Sequence, residues 1–422
     1  MAHRSLPSLP SPSRGTRAVV ALALVGSLVA VATPATADAV TADAVTADAV
    51  TSSAASAAAT AATATLRTDD ARTPRRVLRH MTLRQQVGQL LMVGTPADQA
   101  SSQVLDQLTD LHVGNVMLTG RSDAGVAATA AVSERLTRRV TRPRHPGATR
   151  WVAPLVATDQ EGGAVQVLSG DGFRDVPSAL EQGTWRPVVV RRHAHRWSSS
   201  LVDAGVSMNL APVLGTVPGA QAAAQNPPIG AYDREYGYTV QRVRRKGWAA
   251  LAGFRAAGLV AAAKHFPGLG RVSANTDTDS GVTDTETGPR SSYLDPFAAA
   301  ISHGAETVMM SSAVYSRIDG SRPAVFSSAV TQDLLRTRLG FTGVVMTDDL
   351  GQAAQVQAWS PGRRAVLAVA AGADLVLTVA PDVAPAMVAA LVRRGQDSPS
   401  FRRKIRASAL RVLELKDAHG LL

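Results

Sequence analysis

Three polar clusters carry side chains able to do acid–base and nucleophilic chemistry. They are Thr158-Asp159-Gln160-Glu161-Gly162-Gly163, Lys264-His265-Phe266-Pro267-Gly268-Leu269-Gly270 and Met346-Thr347-Asp348-Asp349-Leu350. Each follows an apolar run that reads as a buried strand, at 151–157, 259–263 and 343–346. Carboxylates, an ammonium and an imidazole at the C-terminal ends of separate strands are how a barrel gathers groups that are distant in the chain.

The chemistry such a set suits is cleavage at an acetal carbon. One group attacks or activates water, and another protonates the leaving oxygen. Asp348 is the candidate attacking group, because an ionised carboxylate at a strand end is costly to bury without a task or a partner. Its neighbour Asp349 suits a capping or orienting role. Asp159 also ends a strand, where a short carboxylate can accept hydrogen bonds from two hydroxyls; Glu161 can do the same or form a local salt bridge. Gly162 and Gly163 let the backbone come close. In an extended chain Lys264 and His265 point to opposite faces. Both serve one site only if the backbone bends there, and Pro267 with its glycines supplies that context. Arg234, within Asp233-Arg234-Glu235-Tyr236-Gly237, reads on its own as a partner of Asp233 or Glu235.

These residues need a frame. Eight apolar, β-branched-rich runs are strand candidates: 88–94, 114–118, 151–158, 207–213, 259–264, 307–311, 343–347 and 374–379. Helical patterns fill most intervals, at 126–138, 187–204, 240–257, 295–303, 328–339 and 361–371, and two more follow at 383–394 and 401–416. Alternating buried strands and helices predict an α/β fold with a parallel sheet. Eight strands favour a single (β/α)8 TIM-like barrel over an open doubly wound sheet.

The chain has 422 residues, no cysteine and a formal net charge of +11. Disulfides are thereby excluded. The Arg pairs are scattered and belong to no nucleic-acid motif, so the charge is read as solubility near, or attraction to, an anionic wall rather than nucleic-acid binding. Arg14 and Arg17 precede an apolar run at 18–32 and a small-x-small site, Ala35-Thr36-Ala37. This predicts a secretory signal over 1–37, too short an apolar run for a membrane span, and an extracellular or cell-wall-associated product. Repeats of Asp-Ala-Val-Thr-Ala and Ser/Ala/Thr-rich sequence predict a disordered linker over 38–72. The folded domain is expected over 73–422.

At these motifs the chain resembles glycoside hydrolase family 3, in particular its bacterial β-N-acetylglucosaminidases. The resemblance spans roughly residues 81–380. It is carried by Gln86-Val87-Gly88-Gln89-Leu90, Asp159-Gln160-Glu161-Gly162-Gly163, Asn209-Leu210-Ala211-Pro212-Val213, Lys264-His265-Phe266-Pro267-Gly268, the run from Leu339 to Val345, and Asp348-Asp349-Leu350. It implies a single barrel, a carbohydrate substrate such as a cell-wall fragment, no metal and no cofactor. It makes Asp348 the nucleophile, Asp159, Lys264 and His265 substrate-binding residues, and Arg234 the substrate-binding Arg of its segment. The chain departs from the family where an Asp-Ser-His triplet usually supplies a general acid/base His: those positions are Asn275, Thr276 and Asp277. Asp277 is the expected replacement acid/base, with Asp279 as the alternative in a shifted register, on a loop whose polar composition predicts mobility. Val167 replaces a substrate-binding Arg, Leu269 a His, and Ser312 lies near a position usually held by His. The resemblance therefore implies an exported retaining β-N-acetylglucosaminidase. A relative that binds wall glycan without turnover, a β-glucosidase or a phosphorylase are the competing outcomes.

Overall fold

The structure, a computed structural model, describes residues 73–141 and 151–422. The segments read as export signal (1–37) and linker (38–72) lie outside the described residues. Eight parallel strands close into a barrel: β1 (Leu91–Pro96), β2 (Asn115–Thr119), β3 (Leu155–Thr158), β4 (Met208–Asn209), β5 (Val260–Phe266), β6 (Thr307–Met310), β7 (Val344–Asp349) and β8 (Leu375–Thr378). Each strand pairs with its neighbours in sequence, and β1 closes on β8 with Leu91 opposite Val376. Helices fill the connections, among them Gly125–Thr141, Pro187–Asp203, Val240–Ala256 and Pro361–Ala371. The expected (β/α)8 barrel is the fold.

Strand side chains alternate in direction, so every second residue enters the barrel. Met92, Met117, Met208, Met309 and Met346 point inward with Leu155 and Val260, while Leu91, Val93, Val116 and Leu118 pack outward against the helices. Both faces are apolar, which is why the strands read as continuous apolar runs rather than alternating ones. Unbranched methionines suit the irregular interior. The helix Pro399–Ala418 seals the N-terminal end of the barrel: Val412 and Leu415 join the inner cluster. Beside them the fully buried Lys416 Nζ donates to Gln89 Oε1 and the Gly114 carbonyl, both at 2.8 Å.

The differences from the sequence reading have local causes. The first strand was expected over 88–94, but a helix, Leu83–Gln89, takes its opening residues. Thr82 and Gln85 form a reciprocal capping box that starts that helix. Trp151, expected in the third strand, is exposed with φ 64°. The run 207–213 pairs only over Met208–Asn209, with one further bridge from Val213 to Lys264. Pro212, which lacks an N–H, falls between them. The helix Ser102–Asp110, which periodicity missed, is capped by the Ser101 side chain.

Candidate active site

At the C-terminal ends of the strands lies a cavity of ≈ 300 Å³, at the lower end of the range for small-molecule sites. Its lining includes Asp159, Arg234, Lys264, His265, Asp277 and Asp348. The six residues singled out from the sequence thus share one cavity, although they come from three different strand ends and two loops. Asp279 does not line it. Its carboxylate is taken up in its own turn by Thr278 Oγ1 (2.7 Å) and the Asn275 N–H (3.3 Å).

An ion cluster forms the floor. Lys264 Nζ is 2.5 Å from Asp159 Oδ1 and 2.7 Å from Glu161 Oε1. Arg234 reaches the same Glu161 with two parallel bonds, Nε to Oε2 at 2.9 Å and an Nη to Oε1 at 2.7 Å. A third guanidinium bond, at 2.5 Å, goes to the Pro228 carbonyl. Burial alone would raise the Glu161 carboxyl, but Arg234 and Lys264 outweigh it and hold the group well below the usual carboxylate range. Burial also works against the charge of Lys264, and Asp159 and Glu161 overcome it, so the ammonium titrates above its ordinary value. Arg234 is raised in the same way by Glu161. The local partners expected for Arg234 are not used: Glu235 turns inward and is fully buried.

The Lys264–His265 peptide is cis, and both side chains line the cavity. His265 is buried, with Nε2 3.8 Å from Asp348 Oδ2. Burial, and then the nearby Lys264 and Arg234, push its imidazole well below the ordinary value. It is therefore neutral at neutral pH and able to donate one hydrogen bond without carrying charge.

Two carboxylates bracket the mouth. Asp348, at the end of β7, is raised to about 7 by burial and by the charge of Asp277. Its Oδ1 accepts the Asp349 N–H at 2.9 Å. Asp277 lies on the exposed rim. Loss of hydration in the cavity raises its carboxyl above the usual range, Arg234 opposes this, and Asp349 and Asp159 add to it. The loop that carries it is pinned rather than loose. The Ala354 and Gln355 N–H groups donate to the Asp277 and Thr276 carbonyls, and Asn275 Oδ1 accepts the Asp277 N–H. Asp349 organises the adjoining turn: its carboxylate accepts the N–H groups of Gly351, Gln352, Ala353 and Val379.

Sequence reasoning left Glu161 open between substrate contact and salt bridge, and the structure makes it the centre of the ion cluster. Gln352, also in the lining, was missed, because it belongs to no strand end and only the Asp349 turn brings it in. Val167 is largely buried, and the second cation near Asp159 and Glu161 is Arg234. Among the described residues no group of three or more His, Asp or Glu side chains is arranged to hold a metal ion.

Known proteins match this chain in sequence and fold. Residues 82–415 fit the family described as the glycosyl hydrolase family 3 N-terminal domain. The β-N-acetylhexosaminidase of Beutenbergia cavernae is 51% identical in sequence, with a TM-score of 0.78 over 80% of this chain and 99% of that one. A family 3 β-N-acetylglucosaminidase from Paenibacillus is 33% identical, with a TM-score of 0.73 over 81% of this chain and 63% of that one. The β-hexosaminidase of Stenotrophomonas maltophilia K279a is 30% identical over 329 residues, 76% of this chain and 92% of its own length. With two carboxylates at the mouth of a strand-end cavity and a family match over most of its length, this chain belongs to glycoside hydrolase family 3, as a glycoside hydrolase of the bacterial β-N-acetylhexosaminidase type acting on O-glycosyl compounds.

Proposed function

We propose that the chain is an exported, retaining β-N-acetylglucosaminidase that removes terminal β-linked N-acetylglucosamine from peptidoglycan-derived glycans. The observation that carries this reading is the convergence of Asp348, Asp277 and the Lys264–Asp159 pair on one small cavity. In this reading Asp159, Lys264, His265 and Arg234 hold the hydroxyls of the terminal sugar. The Asp348 carboxylate attacks the anomeric carbon, the bond to the leaving oxygen breaks, and Asp277 gives that oxygen its proton. The Asp277 carboxylate then takes a proton from water, which attacks the same carbon and releases the sugar and Asp348. The N-acetylhexosamine preference rests on the names of the relatives. Export rests on the basic and apolar pattern of residues 1–37, and the wall substrate on export together with the net charge left after residue 37, which is +8 once Arg4, Arg14 and Arg17 are taken from +11.

The test is hydrolysis of a 4-nitrophenyl N-acetyl-β-glucosaminide beside the matching β-glucoside, with Asp348→Asn as control. Turnover of the first substrate, absent in the control, supports the reading. Preference for the glucoside overturns the sugar assignment. Binding of wall fragments with no turnover above the control replaces the enzyme with a glycan-binding relative. Export is checked by finding the chain in culture supernatant or wall fraction with a new N-terminus near residue 38.

A further inference from the structure

A second concavity, of ≈ 490 Å³, lies outside the catalytic cavity and shares no lining residue with it. It is lined by Gly183 and Thr184 from the connection after β3, and by Thr239, Gln241, Arg242, Arg245 and Lys246 from the connection after β4 and the helix Val240–Ala256 that follows. Both segments belong to strand-to-helix connections, so this cleft is on the same face of the barrel as the catalytic mouth. Thr239 is five positions beyond the cavity residue Arg234.

Three cations converge on the cleft and no carboxylate lines it. Among the described residues none of the three enters an ion pair, although nine other Lys and Arg side chains do. The charges are close enough to act on one another. Partial burial lowers the Lys246 ammonium, and Arg242 and Arg245 lower it further. Arg242 and Arg245 are exposed and Lys246 half-buried, and the stem of Arg242 is held in place. Gly237 has φ 133°, and a Cβ there would come within 2.3 Å of Arg242 Cδ, so the Arg242 stem lies directly against the backbone. The Thr239 side chain caps the helix by accepting the Arg242 N–H, and the positive end of a 17-residue helix adds to the field. Next to it the helix Pro187–Asp203 presents Arg191, Arg192 and Arg196 as exposed cations, which extends the basic surface. A solvated cationic face spreads its charges and intersperses acids. This one gathers them in a hollow without a counter-charge.

We propose that this cleft is a binding site for a phosphate-bearing polyanion, a polyol phosphate polymer of the kind that would hold the enzyme to an anionic surface while the catalytic cavity stays open. The proposal goes beyond the glycosidase reading and does not depend on it, because its readout is binding. Compact ammonium and guanidinium groups at a helix N-terminus suit the tetrahedral, multiply accepting phosphate, and a run of phosphates lets one chain engage both the cleft and the adjoining helix.

The test uses poly(glycerol phosphate) as the probe and measures its affinity for the protein across a salt series. Arg242→Gln/Arg245→Gln/Lys246→Gln is compared with Arg402→Gln/Arg403→Gln/Arg406→Gln, which removes the same charge from exposed positions on the helix Pro399–Ala418. The expected result is a loss of affinity of at least about tenfold in the cleft variant, with the salt slope shallower by about 2, and a change within about twofold in the control. Turnover of the chromogenic glycoside is unchanged in both. Equal loss in the two variants reduces the effect to net charge and overturns the site. No loss in either does the same. Wild-type binding no tighter to the polyol phosphate than to single-stranded DNA of equal charge overturns the ligand class.

Discussion

Glu161 and Arg234 lie 73 residues apart in the chain and meet in a two-point ion pair, with both carboxylate oxygens accepting from one guanidinium. Lys264 takes a further contact to Oε1 of the same carboxylate. One buried acid therefore positions both cations that face the substrate cavity. Glu161→Gln leaves two nearly buried cations short of a counter-charge, and breaking such a cluster costs about 3–5 kcal/mol. The folded-state Glu161 titrates below its unfolded value, so its contribution is present at neutral pH and is lost as pH falls below the ordinary carboxylate range. Denaturant melts of Glu161→Gln against the parent are expected to show a gap at pH 7 that narrows toward pH 3. A gap that stays constant with pH would assign the loss to packing.

Asp348 is placed to attack, and Asp348→Asn is expected to reduce kcat/KM by about a thousandfold or more, roughly 4 kcal/mol of transition-state stabilisation. The fold should be unaffected or more stable, because the buried carboxylate is held near pH 7 against its tendency to ionise. Steady-state kinetics and thermal melts on one preparation separate the two. A variant that loses activity only because it unfolds would show it in the melt.

The barrel was legible because its signal is repetitive: eight apolar runs separated by helical spacing, each ending in polar residues at the same relative place. What could not be read was contact across the sheet. Arg234 has acids on both sides in sequence, and local reasoning offers Asp233 or Glu235. The fold passes over both and pairs it with a residue from another strand connection. The same limit hid Gln352, which reaches the cavity only because Asp349 folds its turn with four backbone hydrogen bonds. The capping box at Thr82 is different: its Thr-x-x-Gln spacing is local and stands in the sequence, and it turns the start of an apolar run into a helix end. The polar loop at 275–279 read as mobile from composition, whereas its carbonyls are bonded to the turn after β7.

That pinned loop places Asp277 at the mouth as the candidate proton donor. If it protonates the leaving oxygen, its removal matters only where that oxygen needs a proton. Asp277→Asn is expected to lower kcat/KM by about 10²–10⁴-fold on an unactivated disaccharide. On a 2,4-dinitrophenyl N-acetyl-β-glucosaminide, glycosyl-enzyme formation should be little affected, with a burst followed by slow release. Parallel losses on both substrates would remove Asp277 from the acid role.

The two mouth carboxylates also titrate together, since the charge of Asp277 helps to raise Asp348 to about 7. Attack needs Asp348 ionised, so the acid limb of kcat/KM reports loss of the first proton of the pair, and the alkaline limb reports loss of the donor proton. In Asp277→Asn the raising charge is gone. On the activated substrate the acid limb is expected to shift to lower pH and the alkaline limb to disappear. An unmoved acid limb would show that burial alone sets the Asp348 value.

At the opposite end of the barrel Lys416 offers a test free of catalysis. Its ammonium is pushed down to about 7 by burial, with Gln89 Oε1 and the Gly114 carbonyl, both uncharged, as its hydrogen-bond partners. The unfolded chain holds that proton up to the ordinary lysine range. Between about pH 7 and 10 the unfolded state therefore binds more protons than the folded one, and this residue's contribution to stability rises with pH. Below about pH 7 the cost of the buried charge is fully present. Lys416→Met keeps the length and apolar stem of the side chain and removes the charge. Its melting temperature relative to the parent is expected to be most favourable near pH 6 and to fall back as pH approaches 9, where the parent keeps its hydrogen bonds without the charge. A difference independent of pH would mean that Lys416 stays protonated in the fold throughout this range.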